Sequence, residues 1–173
     1  TGVIGVKLPM DKVRAGIDLA LKEKANDVEA GRRFLSAIMT TDAYPKEACA
    51  QHGGATIAGV CKGAGMIEPN MATMLAFMAT DWDLRSEQLK RALPTIAATS
   101  FNAVHVDTHT STNDTFLLLS TRSVAPPNDW ARHLEPVARR LSWLIARDGE
   151  GATKVTTIEV TGAATDEAAK SIA

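Results

Sequence analysis

Apolar and polar positions recur along this chain with two periods, and the switches between them mark its elements. From Pro9 to Lys24, Met10, Val13, Ala15, Ile17, Leu19 and Leu21 carry apolar spacing through a helix whose first turn suits Pro9. Asp11 suits its positive start, and Lys22 and Lys24 its negative end. Asp27 reads as the cap of a second helix that turns Ala30, Phe34 and Leu35 inward and ends near Ile38. Thr40-Thr41 begins a short extended piece, and Pro45, Gly53 and Gly54 break the chain. Thr56 to Val60 and Met74 to Thr80 are mostly apolar on both faces, the pattern of buried strands. Asp83 is a candidate cap for a helix from Ser86 to about Ala98, which Pro94 should kink or shorten. Val104 to Val106 and Thr115 to Leu119 read as two more strands. After the Pro126-Pro127 loop, Leu134, Val137, Leu141, Leu144 and Ile145 line a helix from Trp130 to Ala146. Asp148-Gly149-Glu150-Gly151 is a turn, Val155 to Val160 alternates as a strand, and Ala163 to Ala173 looks helical. Strands and helices interleave, so the expected class is α/β or α+β with layered packing.

Composition narrows the picture. The 173 residues fit one domain or a large piece of one, with 45% apolar and 23% charged residues, ordinary for a globular protein. A net charge of −1 supplies no drive toward nucleic acid or a membrane surface. No apolar run has the length of a spanning helix. Cys49 and Cys61 form no CxxC pattern, which points to a reduced, cytoplasmic setting. The opening Thr1-Gly2-Val3-Ile4-Gly5-Val6 and the uncapped final helix read as the edges of a piece from a longer chain.

Chemistry concentrates in Lys62-Gly63-Ala64-Gly65-Met66-Ile67-Glu68-Pro69-Asn70-Met71-Ala72-Thr73-Met74-Leu75. Thr73 follows the small Ala72 after a Gly-rich, Pro-Asn turn, an arrangement suited to a threonine that attacks its own preceding peptide bond. The product carries hydroxyl nucleophile and amine base in one residue. A free α-amine has a pKa of about 7.7–8.0, near the ideal for a base at neutral pH. The alternative is a β-branched residue that merely opens a strand. Lys62, flanked by Val60, Cys61 and Gly63, is either a solvated charge or a partly buried ammonium able to hold a substrate carboxylate. Glu150, between Gly149 and Gly151, is a turn carboxylate or the partner of a substrate ammonium. Lys62 and Glu150 together suit an amino acid. His105, Asp107 and His109 alternate onto one face and form a metal-ligand set in principle, against the plainer reading of a solvated strand end. Ser111-Thr112-Asn113-Asp114-Thr115 is a turn or the lining of a polar pocket. Gly63 and Gly65 lack the remainder of a phosphate-binding loop. The turn after Thr1 offers backbone amides to an oxyanion more naturally than a base.

These pieces, with Leu8-Pro9-Met10-Asp11-Lys12, Met39-Thr40-Thr41-Asp42, Pro45-Lys46 and Glu150-Gly151-Ala152-Thr153-Lys154, run in order through a chain that resembles the ornithine acetyltransferase family. Members of that family are the bifunctional glutamate N-acetyltransferases of arginine biosynthesis. The resemblance implies layered sheets and helices of the self-processing N-terminal-threonine acyltransferase type. It implies cleavage between Ala72 and Thr73, so that 1–72 ends an α chain and 73–173 begins a β chain, usually assembled as α2β2. Thr73 would take the acetyl group from N-acetylornithine and pass it to glutamate in a ping-pong cycle. Acetyl-CoA is a further donor in some members, and no other cofactor or metal is implied. Thr1 and Gly2 map to oxyanion stabilisation, and Thr40, Lys62, Thr73 and Glu150 to substrate contacts. Thr108-His109 stands where the family usually has Gly-Asp, and Glu68 where alanine is common. The rival readings are a self-processing amidase or aminopeptidase with water as acceptor, a non-catalytic uncleaved domain, and a hydrolase using a metal on His105, Asp107 and His109.

Overall fold

Two amphipathic helices lead the chain, α1 (Met10–Lys22) and α2 (Val28–Ile38). The computed structural model describes residues 5–67, 74–107, 109, 111 and 113–170. Asp27 caps α2 as its residue type suggests, accepting a 2.7 Å hydrogen bond from the Ala30 amide. Phe34 of α2 meets Phe77 edge to face, with ring centroids 5.2 Å apart. Helix α1 has no buried residue, although its apolar stripe is present.

A mixed sheet follows: β1 (Lys46–His52), β2 (Ala55–Lys62), β3 (Leu75–Trp82) and β4 (Thr115–Val124), in that spatial order. The first three strands pair antiparallel, and β4 joins β3 in parallel. A parallel neighbour needs a crossover, which α3 (Ser86–Ala98) and a 3₁₀ turn at Phe101–Ala103 provide. Helix α4 (Trp130–Arg147) lays Leu134, Val137, Ala138, Leu141 and Ile145 against the sheet. Ile57 and Cys61 of β2, Ala76, Met78 and Trp82 of β3, and Phe116 of β4 meet them in the core. A short helix, α5 (Asp166–Lys170), closes the described chain.

Several expectations are corrected. Strand β1 lies where no strand was expected. Its Lys-Glu-Ala-Cys-Ala-Gln-His sequence has little intrinsic strand preference and is held by its seven-residue register with β2. Residues 104–106 are not a strand, because Val106 ties by its amide to the Ile67 carbonyl and continues no ladder. Residues 155–160 alternate but form no strand, having no ladder partner among the described residues. The C-terminal helix covers only Asp166–Lys170 of the expected span, whose last residues, 171–173, lie outside the described ones. Thr40 and Thr41 lie in a bend. Arg85, not Asp83, precedes α3 as its cap residue, and Asp83 pairs instead with Arg122. Pro94 leaves α3 at its expected length. Strands β2 and β3 are not buried on both faces: burial in β3 alternates strictly, its inner residues packing under α4. No helix among the described residues is long and apolar enough to cross a membrane.

Candidate functional site

Strand directions bring the start of β1, the end of β2 and the starts of β3 and β4 to one end of the sheet, where Lys46 faces Cys61, Lys62 faces Leu75 and Leu75 faces Thr115. Helix α4 delivers its C-terminus to the same end, because Asp148 there reaches Lys46. Three residues expected to contact substrate lie among these segments.

Lys62, the last residue of β2, is 3% exposed. Its burial decides against the solvated-charge reading. The Asp114 carboxylate is a charge that Lys62 influences. The chain then turns through Gly63, whose φ of 147° suits glycine. Gly65 follows with the Glu150 carboxylate directly above it. A methyl group on Gly65 would lie 2.6 Å from both Cδ and Oε2 of Glu150. The Glu150 amide fixes this contact by donating to the Ala64 carbonyl at 2.7 Å. A buried cation and an exposed carboxylate thus flank one glycine turn. Thr40 is exposed, and its amide donates to Asp42 Oδ2 at 3.1 Å.

Thr1, Gly2, Ala72 and Thr73 lie outside the described residues. The chain on either side of 68–73 is firmly tied. Before it, the Met66 and Ile67 amides donate to the Asp107 carboxylate at 2.6 and 2.8 Å, and the Ile67 carbonyl accepts from the Val106 amide at 2.8 Å. After it, the Met74 amide donates to Asp114 Oδ1 at 2.8 Å while its carbonyl accepts from the Thr115 amide at 3.1 Å. Burial acts to raise the Asp107 pKa, but amide donors from Met66, Ile67 and His109 outweigh it and hold the carboxyl below its ordinary value. Burial also acts on Asp114 and prevails there, raising its pKa against the Met74 amide, Ser111 and Lys62. Asp107, grouped by alternation with His105 and His109, therefore spends its oxygens on backbone amides. No cluster among the described residues is arranged to hold a metal ion.

Sequence reasoning missed the group beside this site. Lys46 has a fully buried side chain, and its ammonium donates to Asp42 Oδ1 at 2.6 Å and Asp148 Oδ2 at 2.5 Å. Asp42 Oδ1 also accepts the Gly63 amide at 2.7 Å, and Asp148 Oδ2 the Ala43 amide at 3.0 Å. Burial acts to raise the Asp42 pKa, but the Gly63 amide, Lys46 and the Thr40 amide hold it below the usual value. The spacing of Asp42 and Lys46 reads in a sequence as an ordinary surface pair, and Asp148 is too distant in the chain to suggest itself. The two cysteines are free, and burial pushes the Cys61 thiol up to about 12, which leaves it unreactive.

Fold and site together define a layered α/β domain with a polar, glycine-lined sheet end at which Ile67 and Met74 are tied by carboxylates. The chain belongs to the ArgJ family, whose model matches residues 1–173. It is 45% identical over 173 residues to the arginine biosynthesis bifunctional protein ArgJ of Thermus thermophilus, covering 98% of this chain and 44% of the relative. The protein of the same name from Geobacillus kaustophilus is 46% identical, with 100% of this chain and 45% of the relative covered. A mitochondrial relative from Schizosaccharomyces japonicus is 41% identical, with 100% and 43% covered. The chain thus spans less than half the length of these curated relatives.

Proposed function

We propose that the protein to which this chain belongs transfers an acetyl group from N-acetylornithine to glutamate through an acetyl-Thr73 intermediate. The observation that carries the reading is the buried Lys62 ammonium and the Glu150 carboxylate flanking one glycine turn, at the sheet end where the chain bearing Thr73 is anchored. An α-amino acid presents one carboxylate and one ammonium, and this pair is complementary to it. On this reading N-acetylornithine, its α-nitrogen acylated, offers its carboxylate to Lys62 and its side-chain ammonium to Glu150, and glutamate then offers a carboxylate and its amine to the same pair.

The chemistry assigns each residue a step. In maturation, Thr73 Oγ attacks the Ala72 carbonyl, the C–N bond breaks as the acyl group shifts to oxygen and frees the Thr73 amine, and water then hydrolyses the ester to release the Ala72 carboxylate and the Thr73 hydroxyl. In the first half-reaction Thr73 Oγ attacks the acetyl carbonyl, its proton passing through the α-amine to the departing ornithine nitrogen as the C–N bond breaks. In the second, the glutamate amine attacks the acetyl ester and Thr73 Oγ recovers its proton. Backbone amides at Thr1 and Gly2 are assigned to the oxyanion, and Thr40, Lys62 and Glu150 to the substrate. Acetyl-CoA is a possible second donor within the same scheme. The cut chains 1–72 and 73–173, as parts of larger α and β subunits, are assigned to a cytoplasmic α2β2 assembly of the self-processing N-terminal-threonine type.

Intact mass of the complete polypeptide, wild type beside Thr73→Ala, tests the maturation step, and acetyl transfer between the two amino acids tests the reaction. Cleavage in wild type alone, with transfer that depends on glutamate, is expected. Hydrolysis of the donor without any need for glutamate would replace this reading with an amidase.

A further inference from the structure

We propose that the Asp42–Lys46–Asp148 cluster is the positioning device of the substrate site, with Lys46 holding three separate segments at fixed spacing. The proposal deepens the reading of Lys62 and Glu150 as an amino-acid clamp and rests on it for its functional consequence.

The bonds of the cluster reach the segments that carry Thr40, Lys62 and Glu150. Asp42 Oδ2 takes the amide of Thr40, and Asp42 Oδ1 the amide of Gly63, which immediately follows Lys62. Asp148 takes the amide of Ala43 and stands two residues before Glu150 at the end of α4. Lys46 joins the two carboxylates, at 2.6 Å to Asp42 and 2.5 Å to Asp148. Tyr44 encloses it, with its ring centroid 5.0 Å from Nζ and its hydroxyl donating to the Leu144 carbonyl at 3.0 Å. The Thr40 bend, the Lys62-Gly63 strand end and the Glu150 turn therefore share a single ammonium as their common reference point.

Stability alone does not account for this arrangement. Withdrawing three charges from water is costly, and buried ion pairs are often replaceable by apolar side chains without loss. Directional charged bonds do what apolar packing does not, which is to set the distance and angle between segments. A clamp of two opposite charges needs that distance fixed, because a misplacement of about 1 Å is enough to cost on the order of a hundredfold in reaction rate. Lys46 and Asp148 act through other residues and are positioning residues.

The test uses the complete polypeptide as Lys46→Met and, separately, as Asp148→Ala, which keeps the Lys46–Asp42 pair. Two substrates are compared: N-acetylornithine with glutamate, and p-nitrophenyl acetate, which acetylates the nucleophile without presenting an amino acid's charges. Hydrogen exchange of the backbone is followed in the same samples. In both variants, transfer between amino acids falls at least about tenfold further than acetylation by the ester, through raised KM. Amide protection falls at 40–43, 62–65 and 148–151 in Lys46→Met, and at 43 and 148–151 in Asp148→Ala, while β4 and α3 keep theirs. Equal loss with both substrates in Asp148→Ala, loss of protection spread over the whole sheet in that variant, or variants that match wild type would overturn the proposal. A wild type that transfers no acetyl group refutes the clamp reading instead. The exchange pattern then decides alone, and unchanged protection at the three segments would overturn the positioning role.

Discussion

The two ends of the sheet bury polar side chains in opposite ways. At the site end, Asp42, Asp107, Asp114 and Asp148 each accept at least one backbone amide, and Lys46 is bonded to two of them. At the far end, Trp82 is fully buried while its Nε1 has no hydrogen-bond partner among the described residues. His52 and His133 stack there at 3.5 Å between centroids, each 6.1 Å from the Trp82 ring. The Trp82 cluster is held mainly by area and dispersion, which are strong and tolerant of small shifts, with Asp81 and Ser120 adding hydrogen bonds at its rim. The site end is held by directional bonds, which add modest net stability but specify position. The two ends thus differ in emphasis: buried charge is concentrated at the site end and large apolar area around Trp82.

Breaking the far end should produce the largest change in stability. Trp82→Ala should cost about 3–5 kcal/mol in denaturant unfolding, the range for a large buried aromatic. Its folded fraction should keep the wild-type KM for amino acids. A KM that rises in step with the lost stability would show that the two ends are not independent.

A smaller effect is expected at the anchor before the Thr73 segment. Asp107→Asn should cost about 1–3 kcal/mol at neutral pH, because the Met66 and Ile67 amides bond to separate carboxylate oxygens and asparagine keeps only one, leaving the other amide facing an NH2 donor. The folded pKa of Asp107 lies below its usual 3.8, so its contribution is present above that value and is lost as pH falls through the lower folded value. Asp42 has the same sign. The variant's stability should therefore fall less steeply than wild type on acidification, as read by unfolding midpoints across the acid range. An equally steep fall would remove Asp107 from the account.

The smallest stability change, and the sharpest test of the site end, belongs to Gly65→Ala. The three atoms nearest the new methyl group are all at the tip of Glu150, an exposed side chain that can shift, so the cost should stay within about 0.5 kcal/mol. Glu150 must nevertheless move, and the KM for amino-acid substrates should rise by about tenfold. Unchanged KM would mean that the observed Glu150 position is not the working one.

The sequence disclosed these two kinds of order unequally. Helix α4 was legible from Leu134, Val137, Leu141 and Ile145 because its apolar stripe is the face that packs on the sheet. Asp27 declared the start of α2 because capping is a local bond. Strand β1 was hidden because Lys46, Glu47, Ala48 and Gln51 owe their conformation to β2 across the sheet. The segment 155–160 misleads for the converse reason: alternation is present, and a partner strand is not found among the described residues. At the site, apolar neighbours hinted at the burial of Lys62, and glycines at the turn carrying Glu150. The Lys46–Asp148 bond joins residues 102 apart in the chain, and neither residue's surroundings point to the other.

The central claim is that Thr73 carries an acetyl group between two amino acids held by the same charge pair. Its most direct test is the mass of the complete, purified protein after mixing with N-acetylornithine, and again after adding glutamate. The account predicts a fragment beginning at Thr73 that gains one acetyl group and loses it to glutamate, with neither event in Thr73→Ala. A wild-type polypeptide that remains uncut, or a cut one that never gains the acetyl group, would contradict it.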